Sequence, residues 1–326
     1  MEKAKTLAPR HELADMLSRN AIFFLLFLLV VAMFVLGEIV AHGFLSLSHI
    51  GAILRTASFL GIVAIGQTLV VLSGGIDLSV GPIITMGNVF ICMFMNGLDA
   101  NNVWSLSAII LLGLAFGSIN GLGVTYLRIS PLVMTLAVGS LVTGLTLIFS
   151  QGAPKGLASP LLREIGVGNL FNLIPAIVVT WAVLSALVIA LLGRSVYGRK
   201  LYYAGANLKA AALSGIRVRL VKIIAYALGG ACAVLSGTLM AGYTRDAFLG
   251  IGNEYTMWSI AAVVIGGTSL TGGKGGYVGT IAGAIILVLL ESLLTVMNMP
   301  EAGRRIANGL IILIMISIYF RKRNRG

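Results

Sequence analysis

Two uncharged runs of 21 residues, Thr56–Ile76 and Leu78–Leu98, stand back to back with one carboxylate, Asp77, between them. A helix crossing the roughly 30 Å hydrocarbon core of a bilayer needs about 20 mostly apolar residues. Five more charge-free runs reach that scale: Val103–Leu127, Ile129–Pro154, Ile165–Gly193, Ile223–Thr244 and Tyr255–Gly273. Shorter ones cover Ala21–Gly37, Gly275–Leu290 and Ile306–Phe320, giving ten candidate spans. Hydrocarbon offers an open backbone group no partner, so a span is a helix or part of a closed barrel. These runs are far longer than the roughly ten-residue alternating strands of a barrel. The sequence therefore predicts an all-α polytopic membrane protein of about ten transmembrane helices. Composition agrees: 10% of residues are charged and 58% hydrophobic, whereas a soluble domain carries about 25% charged residues.

The formal charge of +12 would suit a nucleic-acid partner, so its placement decides. With the N-terminus inside and ten crossings, the outer segments receive Arg55, Lys155, Arg163, Arg245, Arg304 and Arg305. The other 17 of the 23 Lys and Arg residues fall inside. This is the positive-inside bias of a membrane protein, and it speaks against nucleic acid. Both termini are expected in the cytoplasm. Residues 1–19 read as a short tail and 20–320 as the membrane domain. Within that domain 194–222 is the largest and most basic cytoplasmic segment; 321–326, RKRNRG, is a second cytoplasmic tail. The small residues of Ala41-His42-Gly43 allow a signal-peptide reading, but nine further spans favour an uncleaved first helix. Cys92 and Cys232 lie in apolar runs and read as buried small hydrophobes. The three histidines show no ligand spacing, and no metal or cofactor is expected.

SGGIDLSVG (73–81) interrupts the apolar pattern. An intramembrane carboxylate can serve a proton path. Alternatively, Asp77 caps a helix starting near Leu78, taking up its orphan amide hydrogens, with Gly74 and Gly75 supplying the preceding turn. The cap is the preferred reading. VLSGGIDLSVG (71–81) also aligns without gaps to VVIGGTSLTGG (263–273), pairing Gly74 with Gly266 and Gly75 with Gly267. Duplicated halves are common in transporters, but this offset spans six helices of ten. Either a helix is miscounted or the likeness is local. Broken or re-entrant segments are expected near 73–81 and 266–276. GGTSLTGGKGG (266–276) superficially resembles a nucleotide loop, G-x-x-x-x-G-K-[ST]. Thr268 stands where the first glycine should be and Gly275 where the hydroxyl residue should be, so nucleotide binding and enzymatic activity are not expected.

Neutral polar residues lie inside the spans, among them Gln67, Thr68, Asn88 and Asn120. Such groups usually bond neighbouring helices; here they could also line a path for an uncharged, hydroxyl-rich solute. Glu291 interrupts an apolar run, with Arg304 or Arg305 as a partner or a cavity to face. GSINGLG (117–123) reads as a helix-packing segment, with Gly117, Gly121 and Gly123 near one interface. The basic loop GRKLYYAGANLKAAALSGIRVRLVK (198–222) holds an alanine-rich stretch, Asn207–Ser214, able to form a short helix between basic flanks.

Three motifs in order, SGGIDLSVG (73–81), GANLKAAALSGI (205–216) and VVIGGTSLTGGKGGYVGTIAGA (263–284), resemble the ribose-type permeases of ATP-binding-cassette importers, relatives of the branched-chain amino acid permeases. The resemblance covers nearly the whole chain. It implies the permease subunit of a bacterial inner-membrane importer, paired with a second permease subunit. Cytoplasmic ATP-binding subunits and an extracytoplasmic solute-binding protein complete the assembly, and the solute is a monosaccharide or a similar hydroxylated molecule. The segment 205–216 corresponds to the coupling helix that sits on the ATPase, which assigns Gly205, Asn207, Ala210, Ala211, Ser214 and Gly215 to coupling. Ala210 and Ala211 are expected against the partner's groove. Ala206 and Leu208 depart from the usual glycine and acid of the family pattern. The rival is an ion-coupled secondary transporter with Asp77, Glu291 and the broken helices as its ion site. A topology test follows from the charges: alkaline phosphatase fused at Gly205 should be inactive and a fluorescent protein there bright. Phosphatase activity at that position would invert the orientation.

Overall fold

The computed structural model describes residues 10–170, 173–307, 309–310 and 313. Nine of the ten candidate spans correspond to helices within that range: α1 (Arg10–Val40), α2 (Leu47–Leu72), α3 (Val80–Met95), α4 (Asn102–Thr125), α5 (Pro131–Ser150), α7 (Ala176–Arg194), α10 (Val218–Thr244), α11 (Asn253–Ile265) and α12 (Tyr277–Val296). Three short helices lie between them: α6 (Pro160–Val167), α8 (Val196–Ala206) and α9 (Leu208–Leu213). A two-residue hairpin, Asn169–Leu170 with Ile174–Pro175, is the only sheet among the described residues. The helix α1 already covers residues 10–19 of the expected N-terminal tail. Residues 1–9, most of the tenth span and the tail 321–326 lie outside the described residues.

The connections sort to two ends. At one, Gly97 N donates to Leu157 O and Ala158 N to Arg245 O. Arg55, near the start of α2, donates to Val167 O and Asn169 Oδ1. At that end His49 Nε2 also meets Ser292 Oγ at 3.0 Å. At the other end lie 73–79, 126–130, 195–217 and 266–276.

Close backbone approach at glycines builds the bundle around α10, which packs on α2, α3 and α4. Gly230 of α10 lies on the Gly113 carbonyl of α4, Gly229 on Gly66 of α2, and Gly237 on the Ile84 carbonyl of α3. Without a hydrophobic drive between helices in lipid, small residues that let backbones touch are what hold such contacts. Gly117 and Gly121, one turn apart, face Tyr226 and Ile223 of α10 as an interface should; Gly123 instead faces Met134 of α5. A 3.6-residue period puts positions 117 and 121 on one face and turns 123 away. Gly61 leaves room for the Trp181 ring, whose Nε1 donates to Tyr277 OH, which donates in turn to Gly61 O. This chain ties α7, α12 and α2 together and satisfies two buried polar groups.

The helices α3 and α11 have 16 and 13 residues, about 24 and 20 Å at 1.5 Å per residue. Each falls short of the roughly 30 Å core. The missing length is made up at the expected breaks, where backbone off the helix stays tolerable because it is buried in protein. Asp77 and Ser79 are 1% and 0% exposed.

The glycine contacts give a direct test. Gly230→Ala forces a methyl group into the Gly113 carbonyl, which should cost about 1–3 kcal/mol of overpacking. Gly144 of α5 has nothing within 4 Å of an added Cβ, so Gly144→Ala should be neutral or stabilising. Thermal unfolding of the two purified variants in detergent would separate them.

Candidate functional site

The two broken segments end their helices in the same way. Gly74 N donates to Val71 O and Gly75 N to Val70 O; Gly267 N donates to Val264 O and Thr268 N to Val263 O. With Gly74 at φ +79° and Gly267 at φ +81°, both are glycine-terminated Schellman caps. The bonds pair Gly74 with Gly267, one residue away from the gapless sequence alignment that set Gly74 against Gly266. Glycine pairs occur in both copies, so sequence alone could not choose the register. The likeness holds at these caps.

The two caps touch. Gly273 N donates to Leu72 O at 3.0 Å, and Gly272 sits against the backbone of Gly74. The end of α8 completes the junction: a side chain at Gly205 would strike Leu72 O, and one at Gly273 would strike the backbone of Ala206. Tyr202 of α8 donates from its hydroxyl to Gly275 O at 2.9 Å. Burial pushes that phenol above its ordinary value, so it remains a donor. Backbone from α2, α8 and the 266–276 turn therefore meets at one point with almost no side chains between.

From this junction the chain passes through Asn207 into α9. Asn207 Oδ1 accepts from Lys209 N and Ala210 N, both at 3.1 Å, as an N-cap. Ser214 Oγ donates to Ala210 O, and Gly215 at φ +77° closes the helix. These six residues are held as a discrete capped unit resting on α8 and α10. One expectation changes. Ala211 is 4% exposed, buried within its own chain, and does not face outward. The exposed face carries Leu208, Lys209, Ala210 and Leu213, the last 90% exposed. An Ala-Ala-Ala run has no amphipathic pattern, so the sequence could not tell its inner face from its outer one.

Asp77 does not cap α3. That helix starts at Val80 with Ser79 as N-cap. Asp77 Oδ1 accepts from Ser79 N at 2.8 Å and Ser79 Oγ at 2.6 Å, closing an Asx turn just before the helix. Asn120 Nδ2 of α4 donates to the same Ser79 Oγ at 2.8 Å. Leu78 N donates to Thr135 Oγ1 of α5. The break is thus fixed to α4 and α5, partners that local sequence does not disclose.

The other polar positions mostly tie helices. Thr68 Oγ1 lies 3.1 Å from Thr280 Oγ1 of α12. Asn88 accepts from Phe248 N and reaches Gly237 O of α10. Gln67, 1% exposed, makes no side-chain hydrogen bond among the described residues. A cavity of about 120 Å³ lies elsewhere, where Thr85, Thr143, Thr146 and Asn253 of α3, α5 and α11 meet a largely apolar wall of Pro82, Leu147 and Leu249. Thr85 and Asn253 carried no signal in sequence, since nothing in their own helices shows that α3, α5 and α11 meet around them. Glu291 pairs with Arg304 Nε at 2.9 Å. The segment 266–276 follows the helix α11 where a phosphate-binding loop follows a strand. Among the described residues no group of three metal-ligating side chains exists.

The Asx turn can be tested. Asp77→Asn keeps the Oδ1 acceptor and should fold and transport nearly normally. Asp77→Leu strands two buried donors of Ser79 at about 1–3 kcal/mol and should lower folded yield. Normal expression of Asp77→Asn with abolished uptake would instead mark a proton site.

Comparison with known proteins places this geometry. Residues 49–318 match the family described as branched-chain amino acid transport system / permease component. The chain is 33% identical to the ribose import permease protein RbsC of Bacillus subtilis (strain 168), covering 98% of both chains. It is 32% identical to RbsC of Escherichia coli (strain K12), over 90% of this chain and 93% of that one. The autoinducer 2 import system permease protein LsrC of Yersinia pseudotuberculosis is 35% identical over 88% of this chain and 81% of its own. No solved structure matches the chain.

Proposed function

The chain belongs to the branched-chain amino acid transport system permease family, and on that premise we propose that it admits a monosaccharide or similar hydroxylated solute as the permease subunit of an ATP-driven importer. The observation that carries the reading is the capped helix α9, which presents Leu213, 90% exposed, beside a junction joining the two broken segments. An apolar side chain so open at the basic end of the bundle suits a protein partner that covers it. Relatives named for ribose and autoinducer 2 import support the solute class.

In this reading 194–222 and both tails, 1–19 and 321–326, are cytoplasmic, in the inner membrane of a bacterium. One of two ATP-binding subunits engages the α9 of this chain through Lys209, Ala210 and Leu213. Asn207, Ser214 and Gly215 shape the helix, Ala211 seats it, and Gly205 joins it to the breaks. An extracytoplasmic binding protein delivers solute at the opposite end, and a second permease subunit completes the path. Of the sequence candidates for solute contact, Thr68, Asn88 and Asn120 are engaged in holding helices together, which leaves Gln67 and the small cavity at Thr85, Thr143, Thr146 and Asn253.

An ion-coupled carrier gains no support from the relatives. Its proposed site is also divided: Asp77 binds Ser79 at the junction end, while Glu291 pairs with Arg304 beside Ser292, the next residue, which meets His49 at the other.

Two variants distinguish the faces of α9. Leu213→Ser removes apolar contact worth about 1.5–3 kcal/mol and should weaken co-purification of the ATP-binding subunit by about tenfold or more while the permease stays folded. Ala211→Trp should instead lower the thermal stability of the permease alone. Solute uptake in proteoliposomes should fall in both. Normal coupling in Leu213→Ser, or uptake by the chain alone down an ion gradient, would sink the assignment.

A further inference from the structure

Between the end of α4 and the start of α10 lies a cavity of about 840 Å³, walled on its third side by Leu208 and Ala212 of α9. Arg128, Arg217, Arg219 and Lys222 line it, and no carboxylate does. Among the described residues none of the four pairs with an acid: the ion pairs run from Arg304 and Arg305 to Glu291, Glu254 and Glu301. The Arg219 guanidinium lies over the Tyr126 ring, 5.1 Å from its centroid.

Four like charges around one cavity repel one another, and partial burial weakens the screening that water would give. Three of them also sit on the cap or in the first turns of α10, whose end carries the positive pole of the helix dipole and has no acidic residue in its first turn. Both features are unfavourable alone and are relieved by one anion. Arginine forks suit the oxygens of a phosphate. The rest of the site selects the kind of phosphate. Val124, Leu208, Ile216 and Leu220 supply apolar lining, and Tyr126 and Leu127 at the end of α4 are 58% and 70% exposed. A soluble phosphate has no use for such a wall; a lipid with an anionic head and acyl tails fits both parts.

We propose that this cavity binds the headgroup of an anionic phospholipid from the cytoplasmic leaflet, directly against the α9 unit. The leaflet rests on the orientation given under the proposed function; the binding itself does not. Because Leu208 and Ala212 belong to the wall, an occupied cavity braces α9 along one flank, beside the face that carries Lys209, Ala210 and Leu213.

The test uses the full chain in nanodiscs of mixed phosphatidylglycerol and phosphatidylethanolamine, with retained lipids counted by native mass spectrometry. Wild type should keep phosphatidylglycerol preferentially. The triple variant Arg128→Gln/Arg217→Gln/Arg219→Gln should lose that preference, by about fivefold per charge removed. Arg194→Gln/Arg199→Gln/Lys200→Gln removes three exposed cations outside the cavity and should change retention less than twofold. Equal loss in both variants would mean a diffuse surface field, and no preference in wild type would mean no site; each overturns the proposal. Unchanged lipid retention with loss of the ATP-binding subunit would assign the cavity to that protein and overturn it too. Should the triple variant fail to fold, a photoactivatable phosphatidylglycerol on wild type decides. Crosslinks within 124–128 and 217–222 are expected, and labelling confined to other segments sinks the site.

Discussion

Contact of backbone on backbone at glycine sets the geometry of this chain. In water, helices are pressed together by the burial of apolar side chains; in hydrocarbon that drive is absent. Attraction must come from close atomic contact, and the closest contact available is between chains without side chains. The helix α10 meets α2, α3 and α4 through Gly229, Gly230 and Gly237 together with their opposite numbers. Once α10 is held there, both broken segments are brought to one end, and Asn120 of α4 and Thr135 of α5 come within reach of the 77–79 turn.

The ion pairs and the polar bonds do a different job. Asn88, Thr68, Trp181 and Tyr277 each join helices that glycine has already brought close. Their net stabilisation in a bilayer is modest, on the order of 0.6–2 kcal/mol apiece. Their value lies in choosing one rotation of each helix over others, because a buried donor without an acceptor is costly.

Much of this was readable from residues alone, for a physical reason. Span length is set by the bilayer and needs no tertiary knowledge, so Thr56–Ile76 and Leu78–Leu98 announce α2 and α3. The Gly74-Gly75 and Gly266-Gly267 pairs announce helix ends, and Asn207 announces a cap. What escaped was whatever depends on a distant partner. The inward turn of Ala211 is decided by α8 and α10. Asp77 serves Ser79 instead of capping because Ser79 is held by Asn120, 41 residues away. The shortness of α11 hides inside an uncharged run of 19 residues, Tyr255–Gly273, which looks like a full span because its glycine turn is as uncharged as its helix.

The meeting of Leu72, Gly205 and Gly273 has one more consequence. Most joints in proteins contain side chains that swivel, and a swivel absorbs small displacements before they travel. Here the touching atoms are main-chain carbonyl, amide and Cα groups, which have no rotamers to spend. A sideways push on α9 therefore meets main chain at the joint, and main chain carries it on toward the ends of α2 and α11. The joint behaves as a linkage without backlash, braced at its rim by the Tyr202 hydroxyl on Gly275 O.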